Sequence, residues 1–344
     1  MTGGFVGSPM SRIAWAAAVF VFTLGALSAA ASDVDVAAAK KEGKVVWYTS
    51  TPIETAQKIA RLFETETGIK VEMFRSGGSA ILRRFLQEAQ AGRIAADVMT
   101  TSDPAATAAL ARKGTFVAFK PKNFEKIVDE GRDRDGYFVA QRLNLMTIYA
   151  RSDKVPAADL PKTWGDLIDA KYKGRLVMTD PSFTALQLSV VGMMAKTLGW
   201  DYYEKLRKND IMVVQGNQQV SDNIKRGERL IAVGALDSYA ADDRKAGHPI
   251  VTILPADGTF VIPSPTAVIK GSPNPNAAKL LAEFMVGDAA QKLFPEDGGY
   301  AARTDIPPPV DGVALDKIKV IPVDYDYVEK EAARLKKRFN EIFQ

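Results

Sequence analysis

The sequence predicts two α/β units joined by two crossing strands. Three observations carry this reading. Strand and helix patterns alternate along the N-terminal third; the alternation restarts after an extended run at Val139 to Ala150; and a second extended run, Pro263 to Lys270, leads back. Strands that alternate with helices pair in parallel, because each helix returns the chain to the same edge of the sheet. With 344 residues the chain has the length of two domains, each able to bury its own core.

The elements follow in order. Lys44 to Thr49 is a buried-strand pattern, Ile53 to Glu66 an amphipathic helix stopped by Gly68, and Ile69 to Phe74 the next strand. Ser76-Gly77-Gly78-Ser79 turns into a helix over Ala80 to Gln90. Asp97 to Thr100 is a third strand, and Ser102-Asp103-Pro104 opens a helix with a cap followed by proline at the first turn. In the second unit, Arg175 to Met178, Ile211 to Val214 and Ile231 to Leu236 are strands, and helices are expected near Ala185 to Leu198 and over Gln218 to Arg226. Two helices at Pro275 to Val286 and Ala289 to Phe294, and one from Tyr325 to Phe343, complete the chain.

Composition removes whole classes of chemistry. The chain has no cysteine and one histidine, His248, so disulfides, thiol catalysis, Cys-ligated metal and His-rich metal sites are excluded. A net charge of +4 spread over 344 residues is too dilute for a nucleic-acid partner. A secreted hydrolase using a cleft serine is the competing class, but no G-x-S-x-G elbow is present. Arg12 precedes the apolar run Ile13 to Leu27, and Ser28-Ala29-Ala30-Ala31 follows it. That pattern is an export signal cleaved after Ala31, and the run is shorter than the roughly 20 residues that span a bilayer. The expected location is the periplasm.

Three segments resemble the solute-binding proteins of ABC importers. They are Pro161-Lys162-Thr163-Trp164-Gly165-Asp166-Leu167 with Lys171-Tyr172-Lys173-Gly174-Arg175-Leu176; Pro273-Asn274-Pro275-Asn276-Ala277-Ala278-Lys279 with Glu283-Phe284-Met285 and Gln291; and Gly227-Glu228, Asp237 and Lys245-Ala246-Gly247-His248-Pro249. The last is similar to the ferric-binding branch. The resemblance implies a type II, two-lobed "Venus flytrap" monomer with two hinge crossovers, one small-molecule ligand held between the lobes, no cofactor, no catalysis, and delivery to a membrane permease and its ATPase. The lobes are then expected at 32–142 plus 264–344 and at 143–263, behind a signal peptide at 1–31.

Ligands of parallel α/β lobes lie beyond the carboxyl ends of the strands, against helix N-termini. This places Thr49, Ser50 and Thr51; Arg75, Ser76, Gly77 and Gly78; Ser102 and Asp103; Ser182, Phe183 and Thr184; and Asp237 and Tyr239 at the cleft. Exposed N–H groups and the helix dipole suit an anion or a carboxylate- or phosphate-bearing ligand; the resemblance adds phosphonates, and a small anionic or zwitterionic compound is expected. Ser102 and Asp103 serve equally as caps, and Asp180-Pro181 is expected to cap the helix that follows. Arg142 lies on the first crossing strand with Asn144, and their facing is open. The ferric-binding relatives hold iron through consecutive tyrosines, where this chain has Asp237-Ser238-Tyr239. Ferric binding through Asp237 and Tyr239 with a synergistic anion is the alternative. The pair Tyr202-Tyr203 sits in a helical pattern and reads as core.

Overall fold

The computed structural model describes residues 1–5 and 34–344. The apolar run and the cleavage site expected after Ala31 lie outside the described residues. The first lobe begins with α1 (Val36–Glu42), β1 (Lys44–Thr49), α2 (Ile53–Thr67), β2 (Lys70–Arg75), α3 (Gly78–Gln90), β3 (Val98–Thr100) and α4 (Pro104–Arg112). β4 (Val139–Arg151) crosses to the second lobe, which holds β5 (Leu176–Thr179), α5 (Ala185–Leu198), α6 (Trp200–Lys208), β6 (Met212–Val214), α7 (Asn217–Arg226), β7 (Ile231–Leu236), α8 (Asp237–Lys245) and β8 (Ile250–Ile253). β9 (Phe260–Val268) returns, and α9 (Pro275–Met285), α10 (Asp288–Glu296), β10 (Tyr300–Ala301) and α11 (Tyr325–Phe343) follow.

Local chemistry sets the ends of these elements. α2 stops where Gly68 takes φ of +75° and its N–H bonds the carbonyl of Glu64, a left-handed cap that favours glycine. α4 starts where Asp103 accepts from the Ala106 N–H, with Pro104 at the first helical position.

β1 pairs in parallel with β2 and β3, and β5 in parallel with β7 and β6. Between these parallel halves run the crossing strands, in the order β2-β1-β3-β9-β4-β7-β5-β6. β4 and β9 are antiparallel partners from Val139 opposite Thr266 to Met146 opposite Phe260, with a register slip between Ala140 and Arg142. The hinge is therefore one continuous pair of strands shared by both lobes.

Each lobe has its own core. Val45, Trp47, Ile59, Phe63, Leu281 and Phe294 pack together in the first; Trp164, Leu176, Met178, Tyr203 and Leu206 pack in the second. Tyr202 and Tyr203 are buried there, their rings edge to face at 5.2 Å, as core residues. One assignment is corrected. Residues 264–344 were expected to belong wholly to the first lobe, but α11 packs on α5 and α6 and inserts Phe339, fully buried, into the core of the second. Burying such a ring stabilises by about 1.5–3 kcal/mol, which holds the C-terminal half of α11 on the second lobe. α11 still reaches back to the first lobe, where Arg112 of α4 donates to Glu329 at 3.2 Å.

Candidate functional site

A cavity of about 360 Å³ opens between the lobes at the carboxyl ends of the parallel strands. From the first lobe it is lined by Ser50, Arg75, Ser76, Gly77, Gly78, Arg83 and Ser102; from the second by Phe183, Thr184, Gln215 to Gln219 and Tyr239; and from the hinge by Arg142. The N-termini of α3, α5 and α7 all end on it, capped by Gly77, Thr184 and Gly216. Three helix ends aimed at one volume concentrate N–H donors and positive dipole ends there. Three arginines line the cavity and no carboxylate among the described residues does.

Arg142 is the centre of this wall. The register slip beside it re-aims the strand, as bulges near binding sites do. Its side chain, 5% exposed, donates to Asn144 Oδ1 at 2.5 Å and to Ser102 Oγ at 3.3 Å, and its Nε has no partner. Burial draws its guanidinium down to about 10; Tyr239 opposes that shift and the charge of Arg75 adds to it. It remains a cation at neutral pH. Behind it, Ser102 bonds both Ser50 (3.2 Å) and Ser264 (2.9 Å), and Asn144 Nδ2 donates to Ser264 Oγ (2.8 Å) and the Ile262 carbonyl (2.7 Å). The chain thus ties two loops of the first lobe to both crossing strands.

The opposite wall is built differently. The side chain of Gln219 folds back, its Oε1 accepting from the N–H groups of Gln215 and Gly216, which shapes the turn before α7. Burial pushes the Tyr239 phenol up, against the pull of Arg75 and Arg142. Across the cleft the lobes nearly touch: a Cβ on Gly77 would stand 3.2 Å from the Phe183 carbonyl oxygen.

Several expected site residues are held elsewhere. The pleat of β1 turns Thr49 inward, where its hydroxyl donates to Thr51, and Thr51 in turn accepts from Gln141; both threonines are fully buried. Asp103 is spent on capping α4. The helix after Asp180 is capped instead by Thr184, whose hydroxyl accepts from Gln187; Asp180 accepts from the Ser182 N–H in the turn before it, and Ser182 does not line the cavity. Asp237 is buried and accepts from Thr252 at 2.5 Å, so it does not meet Tyr239 across the cavity. Its burial pushes its carboxyl above the usual range, opposed by that hydrogen bond and by Arg244. Among the described residues no group of three or more His, Asp or Glu side chains is placed to hold a metal ion.

Sequence reasoning missed the Gln215 to Gln219 turn, Ser264 and Arg83. The first obeys the rule that selected the other loops, since it follows β6 and opens α7, but it carries amides where the others carry hydroxyls and glycines. Ser264 gave no signal of its own; only the cross-strand register, which sets it opposite Arg142, brings it to the site.

Two lobes on a shared strand pair, with a polar cleft at the strand ends, define a receptor for a small solute. The chain belongs to the bacterial extracellular solute-binding proteins, whose family pattern matches residues 58–319. It is 25% identical over 258 residues to a putative 2-aminoethylphosphonate-binding periplasmic protein of Salmonella typhimurium, covering 72% of this chain and 73% of that one. Among solved structures it resembles the periplasmic binding protein AfuA of Actinobacillus pleuropneumoniae, with fructose-6-phosphate bound, at 20% identity and a TM-score of 0.78, covering 88% of this chain and 98% of that one. It resembles iron-bound HitA of Pseudomonas aeruginosa at 19% identity and a TM-score of 0.75, covering 88% and 99%. At these identities the two structures establish the two-lobed fold, with its two hinge crossovers, and not the ligand.

Proposed function

We propose that the protein, exported to the periplasm, binds a small organic phosphonate or phosphate ester between its lobes and presents it, as a monomer without catalysis, to an ABC permease and its ATPase. One observation carries the ligand class: Arg142, buried and lacking a carboxylate partner, faces a cavity on which helix N-termini converge. A buried charge of this kind is costly until an anion meets it, so the binding of one recovers that cost. The 2-aminoethylphosphonate-binding name of a relative supports the same class. Ferric ion fits the cavity poorly, because Asp237 is engaged with Thr252 and the lining is cationic.

The test is native mass spectrometry of the protein purified from periplasm, followed by calorimetric titration with 2-aminoethylphosphonate, methylphosphonate and inorganic phosphate. A bound organic phosphorus compound and saturable binding of at least one probe are expected. A bound mass of iron with an anion, with none of the three probes binding, would overturn the ligand class. Turnover of a phosphate ester that is lost on Ser76→Ala would overturn the receptor reading.

A further inference from the structure

Arg142 and Arg303 are the two buried arginines among the described residues, at 5% and 3% exposure, and the fold treats them oppositely. Arg303 meets two carboxylates, Asp288 at 2.5 Å and Asp305 at 2.8 Å. The less deeply buried Arg151 and Arg132 are likewise paired, with Asp153 and with Glu125 and Asp129. Arg142 meets none. The position that an acidic partner would take, 2.5 Å from its Nη1, is filled by the amide oxygen of Asn144.

That amide cannot turn around. Both donors of Asn144 Nδ2 are used, on the Ile262 carbonyl and on Ser264 Oγ, so Oδ1 is committed to Arg142. The side chain is fully buried, and Arg142 stands directly opposite Ser264 in the strand pairing. Asn144 therefore supplies the geometry of a salt-bridge partner without its charge.

We propose that Asn144 is the positioning residue that sets the charge preference of the cleft: it fixes the Arg142 guanidinium through a neutral oxygen and so leaves its positive charge for the ligand. The inference rests on the reading of the ligand as an anion. It predicts an order of effects joined to a change in salt response, and a purely structural role would not produce the second. Asn144→Ala deletes every contact of the amide but leaves Arg142 charged and unpaired. Asn144→Asp keeps the shape and neutralises the arginine, while its second oxygen replaces the donor that faces the Ile262 carbonyl and Ser264 Oγ.

The experiment is calorimetric titration of the mature protein and both variants with 2-aminoethylphosphonate, methylphosphonate and inorganic phosphate, each at low and at high salt. Asn144→Asp is expected to weaken the best probe about 100-fold and Asn144→Ala about tenfold, the gap reflecting a lost buried charge interaction against a lost hydrogen bond. The affinity of the wild-type protein and of Asn144→Ala should fall with salt, and that of Asn144→Asp should respond much less. Should Asn144→Asp fail to fold in a thermal melt, Ser102→Asp places a carboxylate on Arg142 from the cleft side, and the same loss and flattened salt response are expected. Affinity of the aspartate variant within threefold of wild type, or an alanine variant as weak as the aspartate one, would overturn the role of Asn144 while leaving the anion reading in place. Failure of the wild-type protein to bind any of the three anions would overturn both.

Discussion

The two walls of the cleft differ in their residues, arginines and serines facing glutamines, Phe183 and Tyr239, and they are organised to different degrees. On the first-lobe and hinge side, Ser50, Ser102, Ser264, Asn144 and Arg142 form one connected network, largely buried and anchored in the strand pair. On the second-lobe side, Gln215 and Gln218 are exposed, Phe183 is 44% exposed, and the turn before α7 is held mainly by the Gln219 side chain. A preorganised network can meet a charge without reorganising, whereas a loosely held wall adapts to shape. The comparison assigns the anionic group of the ligand to the first wall and the remainder of the ligand to the second.

The largest expected effect breaks the first wall. Arg142→Met keeps much of the side chain's length and removes its charge. Loss of a buried charge-assisted interaction, about 1.5–3 kcal/mol, should weaken phosphonate binding by roughly 10- to 100-fold. Calorimetry on the folded variant checks this, and an unchanged affinity would place the anion elsewhere. Next comes the contact between the walls. The backbone of Gly77 at φ of −65° is open to any residue, but a side chain there meets the Phe183 carbonyl across the cleft. Gly77→Val should hold the lobes apart and weaken binding about tenfold, ~1.4 kcal/mol, with the thermal midpoint of the ligand-free protein unchanged. A lowered midpoint would mean that the contact belongs to folding and not to closure.

How much of this was legible in the sequence differs between strands and side chains. The strand at Lys44 to Thr49 and the helix at Tyr325 to Phe343 fall where hydrophobic spacing put them, because burial on one face and terminating residues are local signals. The lobe that α11 joins was not legible: its stripe of Val328, Leu335 and Phe339 states that a partner exists, not which one. At the site, the loops were found by strand–helix alternation, but the roles within each loop were not. Thr49 and Thr51 bond one another, and Thr184 displaces Asp180 as the cap, because such residues satisfy neighbouring backbone and hydroxyl groups as readily as ligands. The facing of Arg142 and Asn144 depends on a register slip that no single strand records.

The second wall yields smaller effects. Gln219→Ala removes the acceptor that organises the Gln215 and Gly216 N–H groups, a cap-like contribution of about 0.5–1 kcal/mol. Affinity should fall about threefold. The loss should also differ between methylphosphonate and 2-aminoethylphosphonate if this wall reads the part of the ligand beyond phosphorus. Equal losses for both would return that role to the first wall.

The smallest change for an anion is the one that separates anion from metal. Tyr239 is the tyrosine that lines the cavity, and burial raises its phenol even though Arg75 and Arg142 pull it down. A phenol held above its ordinary value stays protonated at neutral pH, so it can donate a hydrogen bond to a phosphonate but is poorly poised to act as a phenolate ligand. Tyr239→Phe should therefore weaken 2-aminoethylphosphonate about threefold or less, the worth of one hydrogen bond to a half-buried group. The wild-type affinity should show no step from this residue between about pH 6 and 8, well below the phenol's range. For ferric ion the same substitution removes the cavity's one phenolic oxygen. A purple-red phenolate-to-iron absorption band on adding ferric citrate to the wild-type protein, absent in Tyr239→Phe, would overturn the ligand class, the cationic wall then holding a synergistic anion and the second wall the metal.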